Sequence, residues 1–298
     1  MWWHEQSWAA VAAVDKNLPV IVPLGSIEQH GMHLPLSVDT AQVTAVAEQA
    51  EAELRVSTLF LPTLWLGCSE HHKDFAGTIS VPPALYAENV KAVARSILRA
   101  GFRRILFLNG HGGNETPGAQ ALTELVGEDD TADGAFLVFS SWWQIARDAL
   151  SPEKHGLSTS CISHACEYET SMMLALRPDL VSLDQAREAP QALCKPPWLE
   201  SGSGGGRVRM FRRFHRLTPS GSMGRPNAAT AEKGKSMLAA VTAEVVAFLH
   251  DFANWPELPV LKSPPLTAAG ETNATDDAPL RRDAPALMPD GTRATRTE

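Results

Sequence analysis

The sequence is short of cysteine and of basic residues, and each shortage excludes a class of protein. Four cysteines among 298 residues form no Cys-x-x-Cys pair, so no disulfide framework is predicted. Lys and Arg together number 26 against 34 for Asp and Glu, which leaves a net charge of −8. Proteins that bind nucleic acid usually carry a basic surplus, and we therefore expect no nucleic-acid partner.

Long apolar runs and a targeting segment are missing as well. No stretch of about 20 apolar residues, the length that spans a bilayer as a helix, occurs in the chain. The first residues, MWWHEQSWAAVAAVDKNLP, lack the basic start that precedes the apolar part of a signal peptide. We therefore expect a cytoplasmic protein with reduced cysteines and no membrane partner.

The chain instead has an ordinary globular composition arranged as alternating strands and helices. Hydrophobic residues make up 44% and charged residues 20% of it, as in folded domains. Short apolar runs predict strands at 18–25, 58–67, 103–110 and 135–141. Helical spacing and end signals predict helices at 39–54, 82–102, 117–126 and 228–254. This alternation predicts an α/β fold with a mainly parallel sheet, whose ligands bind beyond the carboxyl ends of the strands.

Two segments depart from this pattern. The end of the chain is rich in Pro, Ala, Thr and Asp, so we predict one domain over 1–262 and a disordered tail over 263–298. The segment SGSGGG at 201–206 precedes an arginine-rich stretch at 207–216. That stretch is either a flap that binds an anionic substrate through its arginines, or a solvated loop or subunit contact.

The first polar cluster, GSIEQHGMHLPLSVDT, follows the first predicted strand. Glu28 and His30 are two residues apart, so in extended chain they point to the same side. Asp39 comes after a loop long enough to fold back. These residue types suit Zn²⁺ or Mn²⁺. The alternative is that Asp39 caps a helix and His30 is a loop histidine.

Two further clusters follow the second and third predicted strands. His71 and His72 are adjacent, and adjacent side chains diverge, so we expect at most one of them to face a site. His111 lies in the glycine-rich turn LNGHGGNET, which has neither dinucleotide-binding nor Walker spacing. The glycines let the backbone approach a ligand closely, which favours a ligand-bearing loop over a phosphate loop.

The fourth cluster, SHACEYETSMML, places a histidine beside two carboxylates. If a helix begins here, His164 and Glu167 share one face, and Glu169 is close by. A histidine with nearby carboxylates is what proton transfer requires. The alternative is an acidic first turn that is stabilised by the helix dipole.

Taken together, these clusters resemble the signature blocks of the creatininase (creatinine amidohydrolase) family, in the family's order. The matching strings span about residues 20–235 and are GSIEQHGMHLPLSVDT, GCSEHHKDFAGT, LNGHGGN, HACEYETSMMLAL and GSMGRPNAATAEKG. The resemblance implies a three-layer α/β sandwich, a cytoplasmic metal-dependent hydrolase of non-peptide C–N bonds, and a homo-oligomer, often a hexamer. The HGGN string is similar to the branch that holds a formamidopyrimidine deformylase and the mycofactocin-pathway peptidase, rather than to creatininase itself.

The resemblance also implies roles for individual residues. Asp39 matches a ligand that bridges two divalent ions, Zn²⁺ or Mn²⁺, with Fe²⁺ also compatible. Glu28 and His111 match ligands of one ion, and His30 matches a ligand of the other. His164 matches the catalytic histidine. Glu169 matches an active-site glutamate close to that histidine.

One departure concerns the second ion, because Gly113 stands where creatininase has a ligating glutamate. We expect Glu167 to take its place. The substrate would be a cyclic amide, a formamide or a small linear amide, and the candidates for contacting it are His72, Trp143 and Arg213. The competing hypothesis is a metal-containing binding or assembly subunit that has lost catalysis, and the missing ligand at Gly113 is the feature in its favour.

Overall fold

The computed structural model describes residues 1–160, 162–188, 211–257 and 259–261. The chain divides into Met1–Glu257 and Leu258–Glu298; within the second unit, residues 259–261 form no helix or strand. The predicted tail at 263–298, the SGSGGG segment and the arginines at 207 and 209 lie outside the described residues. The boundary at residue 262 and the disorder of the tail therefore stay predictions.

The elements alternate along the chain as the sequence pattern predicts. The strands are β1 (Pro19–Leu24), β2 (Leu59–Phe60), β3 (Arg104–Asn109) and β4 (Phe136–Ser141). The helices are α1 (Trp8–Ala13), α2 (Val38–Glu53), α3 (Pro83–Arg99), α4 (Glu115–Glu128), α5 (Trp142–Ile145), α6 (Pro152–His155), α7 (Glu167–Leu176) and α8 (Ala231–Phe252). No helix in the described part of the chain is long and apolar enough to cross a bilayer.

The strands form one parallel sheet in the order β2-β1-β3-β4. In its register, Ile21 pairs with both Phe60 and Leu106. The second strand is shorter than the predicted 58–67: Leu61 N donates to Ile21 O, but the next bond to β1 runs from Leu64 N to Pro23 O, three residues later instead of two, so the regular parallel register is lost. Only an isolated bridge between Leu24 and Leu64 extends the pairing in that direction.

Helices cover both faces of the sheet, which confirms the predicted three-layer α/β architecture. On one face, strand residues such as Ile21 and Leu106 pack against α2, α7 and α8. On the other face, neighbours in the strands such as Val22 and Phe107 pack against α3 and α4. Because successive strand residues point to opposite faces, these nearly all-apolar strands supply both layers of core.

The start of α2 lies directly on the ends of β1 and β3. A side chain at Gly25 would overlap Thr40, and one at Gly110 would overlap Val43 and the backbone of Asp39. Both strand ends therefore need glycine for the helix to approach this closely. The consequence for function is that the first turn of α2 is held between the two loops that follow these strands.

Candidate active site

Four of the predicted clusters converge at the carboxyl edge of the sheet, around a cavity of about 340 Å³. The loop after β1 brings Glu28 and His30, the turn before α3 brings His72, the loop after β3 brings His111, and the segment before α7 brings His164. All of these side chains except the partly buried His164 are buried. Because parallel strands end at the same edge, clusters that are distant in sequence meet there.

Asp39 lies between two histidines that come from different loops. Its Oδ1 is 3.2 Å from His30 Nε2, and its Oδ2 is 2.9 Å from His111 Nδ1. Glu28 Oε1 faces the same space, at 3.4 Å from His111 Nδ1. One carboxylate with a histidine at each oxygen is the arrangement that a ligand shared by two cations requires. The set predicted from sequence, apart from Glu167, is thus brought together.

Three histidines direct a ring nitrogen toward these carboxylates, and each has its other nitrogen beside a backbone carbonyl. His30 Nδ1 is 3.2 Å from Glu28 O, and His111 Nε2 is 3.1 Å from Cys68 O. His164 Nε2 is 2.7 Å from Gln29 O. A carbonyl only accepts, so the far nitrogen donates its hydrogen, and the near nitrogen is the one that turns a lone pair toward the acids when the ring is neutral. This arrangement of carbonyl-oriented imidazoles is typical of metal sites.

Several atoms of the cluster are buried without a hydrogen bond from the described residues. They are Glu28 Oε2, His30 Nε2 and Asp39 Oδ2. Leaving such atoms unpaired is costly in a protein interior. Nitrogen and carboxylate oxygen donors that face each other without hydrogen-bond alignment fit a divalent cation such as Zn²⁺ or Mn²⁺. The residues present therefore fit the metal that the sequence predicts.

The protonation of the cluster reflects its uncompensated negative charge. Burial disfavours the imidazolium of His30, but Asp39 and Glu169 outweigh burial and raise the pKa of His30 to about 9. Burial opposes the imidazolium of His111 as well, but Glu28 and Asp39 outweigh burial and raise the pKa of His111. Burial lowers the pKa of His164 well below its usual value, and the nearby His30 lowers it further. His164 is therefore neutral at neutral pH, with its Nδ1 lone pair toward Glu28 Oε1 at 3.7 Å.

Of the two acids in the fourth cluster, Glu169 is the one that lies beside the candidate metal ligands His30 and Asp39. Its Oε1 is 3.9 Å from His30 Nε2, and one donor atom each of His30, Asp39 and Glu169 lie within 4.8 Å of one another. Burial, together with repulsion from Asp39, raises the pKa of Glu169 to about 7 despite the attraction of His30. Glu169 lines the same cavity as His164, so its expected role close to that histidine stays a prediction, and Glu28 is a second carboxylate that faces His164.

The expectation that Glu167 is a metal ligand is wrong in this structure. Both of its oxygens are occupied by Ser158, Thr159 and Lys233: the Ser158 amide donates at 3.0 Å, the Thr159 hydroxyl at 2.7 Å and Lys233 Nζ at 2.8 Å. Because α7 begins at Glu167, His164 precedes the helix, so the two do not share a helix face as predicted. Glu167 instead anchors the loop that leads to His164.

Gly113, where the resemblance places a further ligand, has no room for a side chain. A Cβ there would overlap the carbonyl oxygen of Cys68 and the ring of His111. A glutamate at this position would displace the backbone that orients His111. Position 113 therefore cannot supply the acid that the resemblance places there. Glu169, which approaches His30, offers a carboxylate in the same site.

Gln29 was not among the residues singled out from sequence, although it lies between Glu28 and His30. Its Oε1 accepts from Gly31 N at 2.9 Å, which fixes the orientation of the amide. Its Nε2 then donates to His72 Nδ1 at 2.8 Å and to Gly221 O at 3.1 Å. His72 must carry its proton on Nε2, where it faces Glu28 Oε1 at 3.3 Å. His72 therefore acts as a donor to Glu28 rather than as a ligand.

Replacing Gln29 with Leu should remove the hydrogen bond that fixes the tautomer of His72. We expect kcat to fall about tenfold, the lower end of the effect of removing a residue that orients the side chains of a metal site. Bound metal should stay at the wild-type stoichiometry. Steady-state kinetics, elemental analysis and ¹⁵N chemical shifts of the histidine rings would measure these effects. Gln120→Leu on the exposed side of α4 is the matched control. Unchanged ring shifts in the Gln29 variant would contradict the assignment.

The three candidates for substrate contact have different outcomes. His72 and Trp143 both line the cavity. Arg213 does not; its Nη1 donates to Asp74 Oδ1 at 3.1 Å, and the side chain is half exposed. The neighbouring Phe214 lines the cavity instead. The many arginines of this segment suggested a charged contact with the substrate, and the aromatic residue among them was not predicted to line the site.

His71 and His72 both line the cavity, contrary to the expectation that one of them would point away. The turn Glu70–His72 is a short 3₁₀ segment, not an extended strand. Successive residues in such a turn are about 120° apart, so two adjacent rings can border the same space. A donor atom of His71 lies within 4.8 Å of donor atoms of Glu28 and His111.

Comparisons with known proteins show which family the chain belongs to. The creatininase family model, described as creatinine amidohydrolase, matches residues 4–249. A creatinine amidohydrolase of Pseudomonas putida is 36% identical over 210 residues, covering 65% of this chain and 76% of that protein. A mycofactocin precursor peptide peptidase of Mycobacterium tuberculosis is 33% identical over 248 residues, covering 79% of this chain and 88% of that protein.

A solved structure of creatininase in a manganese form has the same fold. It superimposes with a TM-score of 0.71 at 26% identity, covering 85% of this chain and 98% of that chain. The similarity in fold therefore covers most of this chain and nearly all of that one. This chain belongs to the creatininase family of hydrolases.

Proposed function

We propose that this protein hydrolyses a C–N bond of an amide with the help of two divalent cations. The observation that carries the proposal is Asp39, with His30 at one carboxylate oxygen and His111 at the other. Glu28, His111 and Asp39 would hold one cation, and His30, Asp39 and Glu169 the other. Such cations, Zn²⁺ or Mn²⁺ by the chemistry of the donors, acidify water and polarise a carbonyl oxygen.

His164 is placed to transfer the proton that the reaction needs. Amide cleavage requires a protonated leaving nitrogen, and the attacking water must lose a proton, so one group that faces the cavity can carry the proton from the water to the nitrogen. His164 Nδ1 is the atom that fits this role, because Gln29 O holds Nε2 and keeps the lone pair of Nδ1 toward the cluster. His164 therefore accepts at Nδ1 the proton that the attacking water gives up and delivers it to the leaving nitrogen.

The substrate that we propose is an amide, either peptide or non-peptide. A relative is a peptide peptidase, so the expected restriction to non-peptide bonds is not part of the proposal. The homo-oligomeric state, a hexamer by family analogy, and the cytoplasmic location remain predictions.

The alternative of a non-catalytic subunit rested on the missing ligand at Gly113. It loses support because Glu169 offers a carboxylate beside His30.

The proposal is tested by counting metal and measuring hydrolysis on the same preparation. Protein purified without chelator should contain about two divalent ions per chain and should hydrolyse at least one member of a panel of formamides, cyclic amides, linear amides and short peptides. Removal of the metal should abolish the reaction, and adding Zn²⁺ or Mn²⁺ back should restore it. Activity that survives complete metal removal, or a chain that binds no metal, would refute the proposal.

A further inference from the structure

The aromatic ring of Phe214 packs over the histidines of the site. Its centroid is 4.1 Å from that of His72 and 4.6 Å from that of His164. The ring also lines the cavity. It belongs to a short 3₁₀ turn, Phe214–Arg216, in which no side chain is buried. A phenyl ring partly open to the cavity and seated on the reactive histidines is placed to contact whatever occupies that space.

The lining of the cavity contains both polar and apolar side chains. The acids and histidines described above form the polar part of the lining. The apolar part is formed by Trp143, Ile162, Phe214, Leu217 and Met223. Among the described lining residues there is no lysine or arginine, whereas Glu115 adds a further carboxylate. These walls favour an apolar, uncharged group over an anion.

Contacts on both sides of Phe214 hold its ring in place. Asp74 accepts from Arg213 Nη1 at 3.1 Å and from His215 Nδ1 at 2.7 Å. The carbonyl of Phe214 accepts from the amide of Leu217 at 2.8 Å. The two neighbours of Phe214 are thus tied to the loop that carries His72, and the ring is directed inward. Because Arg213 is bound to Asp74 and does not line the cavity, its positive charge does not face the cavity.

We propose that Phe214 determines specificity by binding an apolar, preferably aromatic, group next to the scissile amide. This inference deepens the proposed function and rests on it. An aromatic ring in the substrate would bury apolar area and make ring contacts against Phe214 and Trp143. A methyl group would bury much less apolar area there and would make no ring contact. The arginines of the 207–216 stretch that the structure describes are not needed for this recognition.

Binding of two uncharged amides tests the inference without requiring turnover. Benzamide and acetamide share the amide and differ in the ring, and calorimetry with Zn²⁺-loaded protein gives both dissociation constants. Wild type should bind benzamide at least about tenfold more tightly than acetamide. Phe214→Ala should lose roughly tenfold in benzamide affinity, with acetamide changed less than twofold, and Phe214→Leu should lie between. Phe211→Ala, in the same segment but 81% exposed, should match wild type.

The outcomes separate this inference from the proposed function. If wild type binds the two amides equally, or binds neither, the inference is wrong; the same holds if Phe214→Ala and Phe214→Leu keep the full preference for benzamide. Hydrolysis of an amide panel is measured in parallel. A preference that depends on Phe214 without hydrolysis of any amide would refute the proposed function and leave the binding role of Phe214 intact. Far-ultraviolet circular dichroism confirms that each variant is folded.

Discussion

Replacing His164 with Asn should lower kcat by about 10²–10⁴-fold, the usual effect of removing a general acid–base group. Asn keeps a polar side chain but cannot accept a proton and pass it to a leaving nitrogen. The structure gives His164 one nitrogen fixed on the Gln29 carbonyl and the other directed toward Glu28. The measurement is steady-state hydrolysis of the best amide of the panel, together with metal content.

Metal content distinguishes two roles that the geometry allows for this histidine. A donor atom of His164 lies within 4.8 Å of donor atoms of Glu28 and His30, so a ligand role would cost an ion. We expect both ions to be retained in His164→Asn, since Glu28, Asp39 and His111 remain in place. His250→Asn, on α8, is the control and should behave as wild type. Full activity in the His164 variant would remove this residue from the mechanism.

Two isosteric variants, Glu169→Gln and Glu167→Gln, should have opposite effects although they lie two residues apart on α7. Glu169 faces His30 at 3.9 Å, so its variant should lose about one ion per chain and at least about 100-fold in activity. Glu167 is fully buried against Lys233 and the 158–159 loop. Its variant should keep both ions but lose about 3 kcal/mol of the free energy of unfolding, the usual cost of breaking a buried pair.

Elemental analysis and thermal unfolding of the two variants separate the roles. The pH dependence gives a second check on Glu167, whose pKa is lowered to about 2: burial opposes ionisation, but Lys233, Thr159 and Ser158 outweigh it. A carboxylate with a lowered pKa contributes stability that is fully present above its unfolded-state pKa of 4.5 and is lost as the pH falls toward 2. Loss of metal from Glu167→Gln would instead restore the ligand role expected from sequence.

Much of the fold and most of the ligand set could be predicted from sequence. Strands such as β1 and β3 are short apolar runs, each followed by a polar cluster, and the acid that reaches between them, Asp39, lies in the first turn of α2. Because parallel strands end at one edge of a sheet, the order of these blocks along the chain already implies that Glu28, His30, Asp39 and His111 meet. The first three signature strings contain the loops that follow β1, β2 and β3 at that edge, whereas the last two contain the starts of α7 and α8.

What sequence could not decide is which of several equivalent residues faces the site. Glu167 and Glu169 differ by about 200° around a helix axis, and only the packing of α7 against α8, where Lys233 lies, determines which one approaches His30. Arg213 and Phe214 are adjacent, and the contacts of Asp74 turn one outward and the other inward. Sequence by itself therefore determined the fold, the family and the chemical types of the ligands. The tertiary structure decided the direction of each side chain, because direction depends on contacts between residues that are far apart in the chain.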